Sequence, residues 1–133
     1  MIGIDTNVLV RYVIRDDKAQ AHRADSVIDG LTMADPGFIT HATLVELWWV
    51  LTSTYKKDNQ LVAAFIEQLL ATPVIAIQDR DIVHAALRLV RANKADFVDA
   101  LISAVCEAQG CTKVVTLESR VASRAAMTLL VSP

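Results

Sequence analysis

The stretch Ile2–Val10, IGIDTNVLV, decides how the rest of the chain is read. Apolar or small residues surround a single acid, Asp5, which is followed at once by Thr6 and Asn7. Ile2–Ile4 is too short for a helix and reads as a strand, and Val8–Ile14 resumes with helical spacing. Asp5 therefore stands at a strand's carboxyl end, in surroundings that read as buried. A carboxylate there either caps the following helix or has something to bind. On this stretch alone both readings stay open.

Working outward, the same alternation repeats. Further short apolar runs, at Gly37–Thr40, Val74–Ile77, Lys113–Thr116 and Met127–Val131, are bounded by turn or capping residues. Between them lie amphipathic stretches. Val8–Ile14 and Ala19–Leu31 form a broken helix or a helical pair, and Ala42–Thr54 is parted from Asn59–Leu70 by the polar YKKDN. Asp81–Ala92 and Val98–Gln109 follow, the latter ended by Gly110. Parallel crossovers need a helix's worth of chain, so the pattern predicts an α/β fold. The expectation is one domain over residues 1–133, a twisted parallel sheet of four to five strands flanked by helices on both faces.

The bulk properties agree. At 133 residues, 53% hydrophobic and 21% charged, the chain is long enough for a sizeable core. A net charge of −2 excludes a broad basic field for nucleic acid, though not a local site that meets RNA. Cys106 and Cys111 fit neither a CxxC motif nor a zinc spacing and read as reduced thiols of a cytoplasmic protein. The short apolar start, broken by Asp5 and Arg11, does not read as a signal peptide, and no apolar run reaches the ~18 residues of a membrane span.

In an open parallel sheet, ligands bind beyond the carboxyl ends of the strands. Asp5 ends the first strand. Glu46, in THATLVELWWVL (40–51), lies in the helix after the second. Asp96 and Asp99, in KADFVDALISA (94–104), open the helix before the fourth, with i, i+3 spacing on one face. Glu118 follows the fourth strand in VVTLES (114–119). Each has a plainer reading: Asp5 as an N-cap, Glu46 as half of an ion pair, Asp96 or Asp99 as a cap, Glu118 as ordinary helix-start chemistry. Gathered in one cleft they would repel one another unless a cation joined them. Hard oxygen donors without sulfur or imidazole specify Mg²⁺ or Mn²⁺, and such a cleft suits phosphodiester hydrolysis.

IGIDTNVLV, a Glu in the helix after the second strand, ADFVDALISA and VVTLES resemble the PIN domain, and more narrowly the VapC-type ribonuclease toxins of toxin–antitoxin pairs. The resemblance covers essentially the whole chain. It implies a twisted parallel sheet between helices, a Mg²⁺ or Mn²⁺ site, endonucleolytic cleavage of RNA, a homodimer and a small antitoxin partner. Position by position, Asp5, Glu46 and Asp99 match the three core acids, with Asp96 as an additional or supporting acid. Thr116 matches the family's Thr at the end of strand four, but Glu118 stands where an Asp is usual, so its longer arm acts directly or through water. Thr6 and Asn7 would lie near the metal or phosphate, or merely hold the loop.

Other residues give less. Arg11 and Arg15 are candidates for contact with RNA or an antitoxin carboxylate, or form a solvated helix edge. His22, His41 and His84 read as surface or capping residues, and Arg88, Arg91 and Lys94 as a polar helix face. Trp48, Trp49, Val50 and Leu51 are more apolar than one helix face needs, which fits core packing or a partner interface. A receiver-type signalling domain would want paired acids after the first strand and a Lys at the end of the last, and neither is present. An Asp-x-Asp phosphatase fails at Asn7. A PIN-fold binding domain with impaired catalysis is the remaining alternative, supported by Glu118.

Overall fold

β1 (Ile2–Gly3), β2 (Gly37–Ile39) and β3 (Ile75–Ile77) pair in parallel, in the order β1-β2-β3. The computed structural model describes residues 1–131; Ser132 and Pro133, the end of the expected single domain, lie outside the described residues. The chain forms two compact units, the first comprising Met1–Asp58 with Gln68–Gln78. Besides its sheet it contains α1 (Thr6–Val13), α2 (Lys18–Asp29) and α3 (His41–Trp49), continued by a π-helical turn over Val50–Thr54. Of the two expected forms, a broken helix or a helical pair, the pair is seen, as α1 and α2. β2 and β3 bury alternate residues as strands with a covered face do. Gly37, at the register of Ile2 and Ile75, leaves room for two core side chains, because a Cβ there would sit 2.6 Å from Ile4 Cδ1 and 2.9 Å from Leu31 Cδ1 and displace them. Leu9, Ile39, Leu44, Leu47, Trp48 and Leu51 are fully buried.

The second unit comprises Asn59–Glu67, the first part of α4 (Asn59–Ala71), and the described chain from Asp79 onward. It contains α5 (Arg80–Asn93), α6 (Phe97–Ala108), β4 (Val115–Thr116), α7 (Ser119–Arg124) and β5 (Thr128–Leu129). α5 packs along α6, burying Val83, Leu87, Val90, Phe97 and Leu101. α6 ends as predicted: Gly110 takes φ +88°, and the Cys111 amide donates to the Cys106 carbonyl at 3.0 Å. Both cysteines are free thiols.

The sheet differs from the expected continuous one of four to five strands. Among the described residues five strands form, but β4 pairs with β5 in a separate parallel pair. Apolar runs announce strands without naming their partners. Ladders of two or three residues carry little register information of their own. α7 is an additional helix, and it begins where the plainer reading of Glu118 puts a helix start. No helix among the described residues is long and apolar enough to cross a membrane.

Candidate active site

Asp5 occupies the N-cap position of α1 in extended geometry, yet its side chain accepts no capping hydrogen bond. An Asp at this position usually accepts the amide of the second or third helical residue. Here the carboxylate is left over, and it is solvent-exposed rather than half-buried. The reason is that β1 is a sheet edge whose own residues are exposed, Ile2 by 41%. The apolar flank begins to be buried only at Ile4. Next to Asp5, Thr6 is buried (5% exposed), and its Oγ1 donates to Glu46 Oε1 at 3.0 Å. α1 packs on α3, which explains how residues 40 positions apart meet. Glu46 is exposed, flanked by the buried Leu47 and Trp48. α3 is set by Thr40, whose hydroxyl accepts the Thr43 amide at 3.1 Å.

In the second unit the acids do different work. Asp96 caps α6, its carboxylate accepting the Val98 amide at 2.9 Å, so of the two candidates it is the cap. Asp99 lies in the first turn of the same helix and is half-buried. Burial pushes its carboxyl pKa up, and the nearby charges of Asp96 and Glu118 push it the same way. No ion pair relieves Asp99 or Glu118 among the described residues. Glu118 precedes α7 without capping it through its side chain, is exposed, and is placed by its amide, which donates to Thr116 Oγ1 at 3.2 Å.

The structure therefore brings Thr6 to Glu46, and Asp96 and Glu118 to Asp99. Among the described residues, no three His, Cys, Asp or Glu side chains form a group that could hold a metal ion. The donor chemistry still fits Mg²⁺ or Mn²⁺. The candidates are all hard oxygen donors, and Asp99 is crowded by like charge. Mg²⁺ keeps several waters and is commonly held by one or two carboxylates together with substrate phosphates.

The basic candidates divide. Arg15 donates to both Asp25 oxygens, at 2.9 and 2.6 Å. This hydrogen-bonded pairing raises the guanidinium pKa and lowers that of the Asp25 carboxyl, which commits Arg15 to an ion pair within the unit. Arg11 donates to Asp16 at 2.6 Å, and it also lines a cleft together with Asn7. Arg23 lines that cleft too and was not singled out in the sequence, where its place in a charged helix gave no signal. Trp48 is 2% exposed but Trp49 62%, so the apolar WWVL run divides between core and surface. His41 ties α3 to the end of β3, with Nε2 2.8 Å from the Gln78 carbonyl. Arg91 is engaged with Glu67 and with Gln60.

No curated protein matches the sequence. The PIN domain family, by contrast, matches over residues 2–126, a span that runs from β1 through α7 and takes in Asp5, Glu46, Asp96, Asp99 and Glu118. With nearly the whole chain accounted for, it belongs to the PIN domain family, whose members are generally nucleases.

Proposed function

We propose that the chain is a single PIN-like domain acting as a metal-dependent endoribonuclease, the VapC-type toxin of a toxin–antitoxin pair. The observation that carries this reading is Asp99: a half-buried carboxyl whose pKa is raised by that burial and by the charges of two further carboxylates, Asp96 and Glu118, and which has no ion pair of its own among the described residues. Structural ion pairs are not built this way, whereas sites that await a cation are.

Asp5, Glu46 and Asp99 would hold the Mg²⁺ or Mn²⁺, with Glu118 reaching in directly or through water. The bound ion supplies charge for the phosphate and an acidified water. The chain's own contribution is positional. The Thr6 hydroxyl fixes the rotamer of Glu46, and Asp5 is spared from capping. A second reading, a PIN-fold RNA- or protein-binding domain that does not cleave, is favoured by one observation: no three-carboxylate group is closed among the described residues.

The test is incubation of purified protein with structured RNAs, with Mg²⁺ or Mn²⁺ or with EDTA, beside Asp5→Asn. Expected are endonucleolytic fragments that need the metal and disappear with Asp5→Asn. Binding without fragments in either metal selects the second reading. Wild-type cleavage by Asp5→Asn sinks the site assignment. The toxin role predicts growth arrest on expression, relieved by Asp5→Asn and by an antitoxin encoded beside the gene.

A further inference from the structure

Beside Asp5, α1 and α2 enclose a cleft of about 440 Å³, within the range of ligand sites. Its α2 wall is Gln20, Arg23, Ala24 and Val27, an i, i+3, i+4, i+7 stripe that faces Asn7 and Arg11 of α1. The small side chain of Ala24, 4% exposed, leaves the room that a larger residue in that stripe would fill. No lining residue is acidic, although the chain carries a net charge of −2. Arg11 is answered by Asp16, but Arg23 has no ion pair among the described residues. The cleft thus presents one uncompensated guanidinium, two side-chain amides and an apolar floor.

We propose that this cleft is a subsite for a backbone phosphate of single-stranded RNA, with Arg23 carrying the charge and Gln20 and Asn7 donating to phosphate oxygens. Guanidinium and amide donors are the groups that hold nucleic-acid backbones without reading sequence. Asn7 is two residues beyond Asp5, so their Cα atoms are at most about 7.6 Å apart, close to the spacing of neighbouring backbone phosphates. The choice of RNA as occupant rests on the nuclease reading. Arg11 would join through the guanidinium nitrogens that Asp16 leaves free, and Arg15 takes no part.

The probe is a 2′-O-methyl RNA 12-mer, which cannot be cut by attack of its own 2′ oxygen, with binding followed by anisotropy from low to moderate salt in EDTA. The full chain is compared with Arg23→Ala, Arg23→Lys and Gln20→Ala; Arg23 is exposed, and equal melting temperatures verify the fold. Arg23→Ala should weaken binding about tenfold and lower the slope of log affinity against log salt by about 0.7, the loss of one single-strand phosphate contact. Arg23→Lys should restore most of the slope. In cleavage assays Arg23→Ala should raise KM and spare kcat. Unchanged affinity and slope overturn the proposal. So does loss of binding to an acidic peptide (a Glu 12-mer) with RNA binding intact, which makes the cleft a protein-docking site. Arg23-dependent binding in a protein that cuts no RNA upholds the subsite and sinks only the nuclease reading.

Discussion

Glu46 and Asp99 are both candidate ligands on helices, but their surroundings differ in kind. Glu46 is exposed and accepts a hydroxyl hydrogen bond from the buried Thr6, which orients one of its oxygens. Asp99 is half-buried, its pKa raised first by that burial and then by Asp96 and Glu118. The first carboxylate is restrained by a neutral donor; the second is held among like charges that a cation would relieve.

The largest effect expected to test this contrast is on activity. Glu46→Gln and Asp99→Asn should each lower RNA cleavage more than about 100-fold, because even supporting groups around metal ligands cost 10–100-fold. Excess Mn²⁺ should recover part of the Glu46→Gln loss and little of the Asp99→Asn loss. Equal recovery would mean that the two carboxylates serve the ion alike. Thr6→Val comes next: it keeps the shape of a buried side chain and deletes only the hydroxyl. Cleavage should fall about 10- to 100-fold, while stability changes by about 1 kcal/mol, since water replaces the lost donor at an exposed carboxylate. Thr6→Ser should restore activity. If Thr6→Val cuts RNA normally, Glu46 needs no restraint. Glu118→Gln should have a smaller effect, about tenfold or less, because the side chain is exposed while only the backbone is held, its amide by Thr116 Oγ1 and its carbonyl by the Ala122 amide.

Much of this was legible in the sequence, where local chemistry decides the outcome. Gly110 ends α6 because positive φ suits glycine, and Asp96 caps that helix as an Asp before an apolar turn does. What failed was whatever depends on partners distant in the chain. The apolar flank of Asp5 suggested burial, but β1 is a sheet edge among the described residues and Asp5 is exposed. Arg15 and Arg23 look alike in sequence, and only the folded chain shows Asp25 claiming the first. Trp48 and Trp49 are neighbours in sequence, yet adjacent helical residues point about 100° apart, so one is core and the other surface.

The smallest expected effect is on stability, and it separates the two carboxylates without any assay of cleavage. For most native carboxylates the folded pKa is depressed, and stability is lost as pH falls. Asp99 runs the other way: its folded pKa lies above its unfolded one, so its charged form opposes folding. Below the unfolded pKa the group is neutral in both states and contributes nothing. As pH rises through the carboxylate range and past the raised folded value, the penalty appears in full. In EDTA, Asp99→Asn should therefore melt above the wild type at neutral pH and converge with it in acid. Adding Mg²⁺ should raise the wild-type melting temperature, by mass action on the folded state, and leave Asp99→Asn nearly unmoved. A variant that melts lower than wild type at neutral pH would mean that Asp99 is paired rather than crowded. The contrast with Glu46 would then rest on the Thr6 hydrogen bond alone.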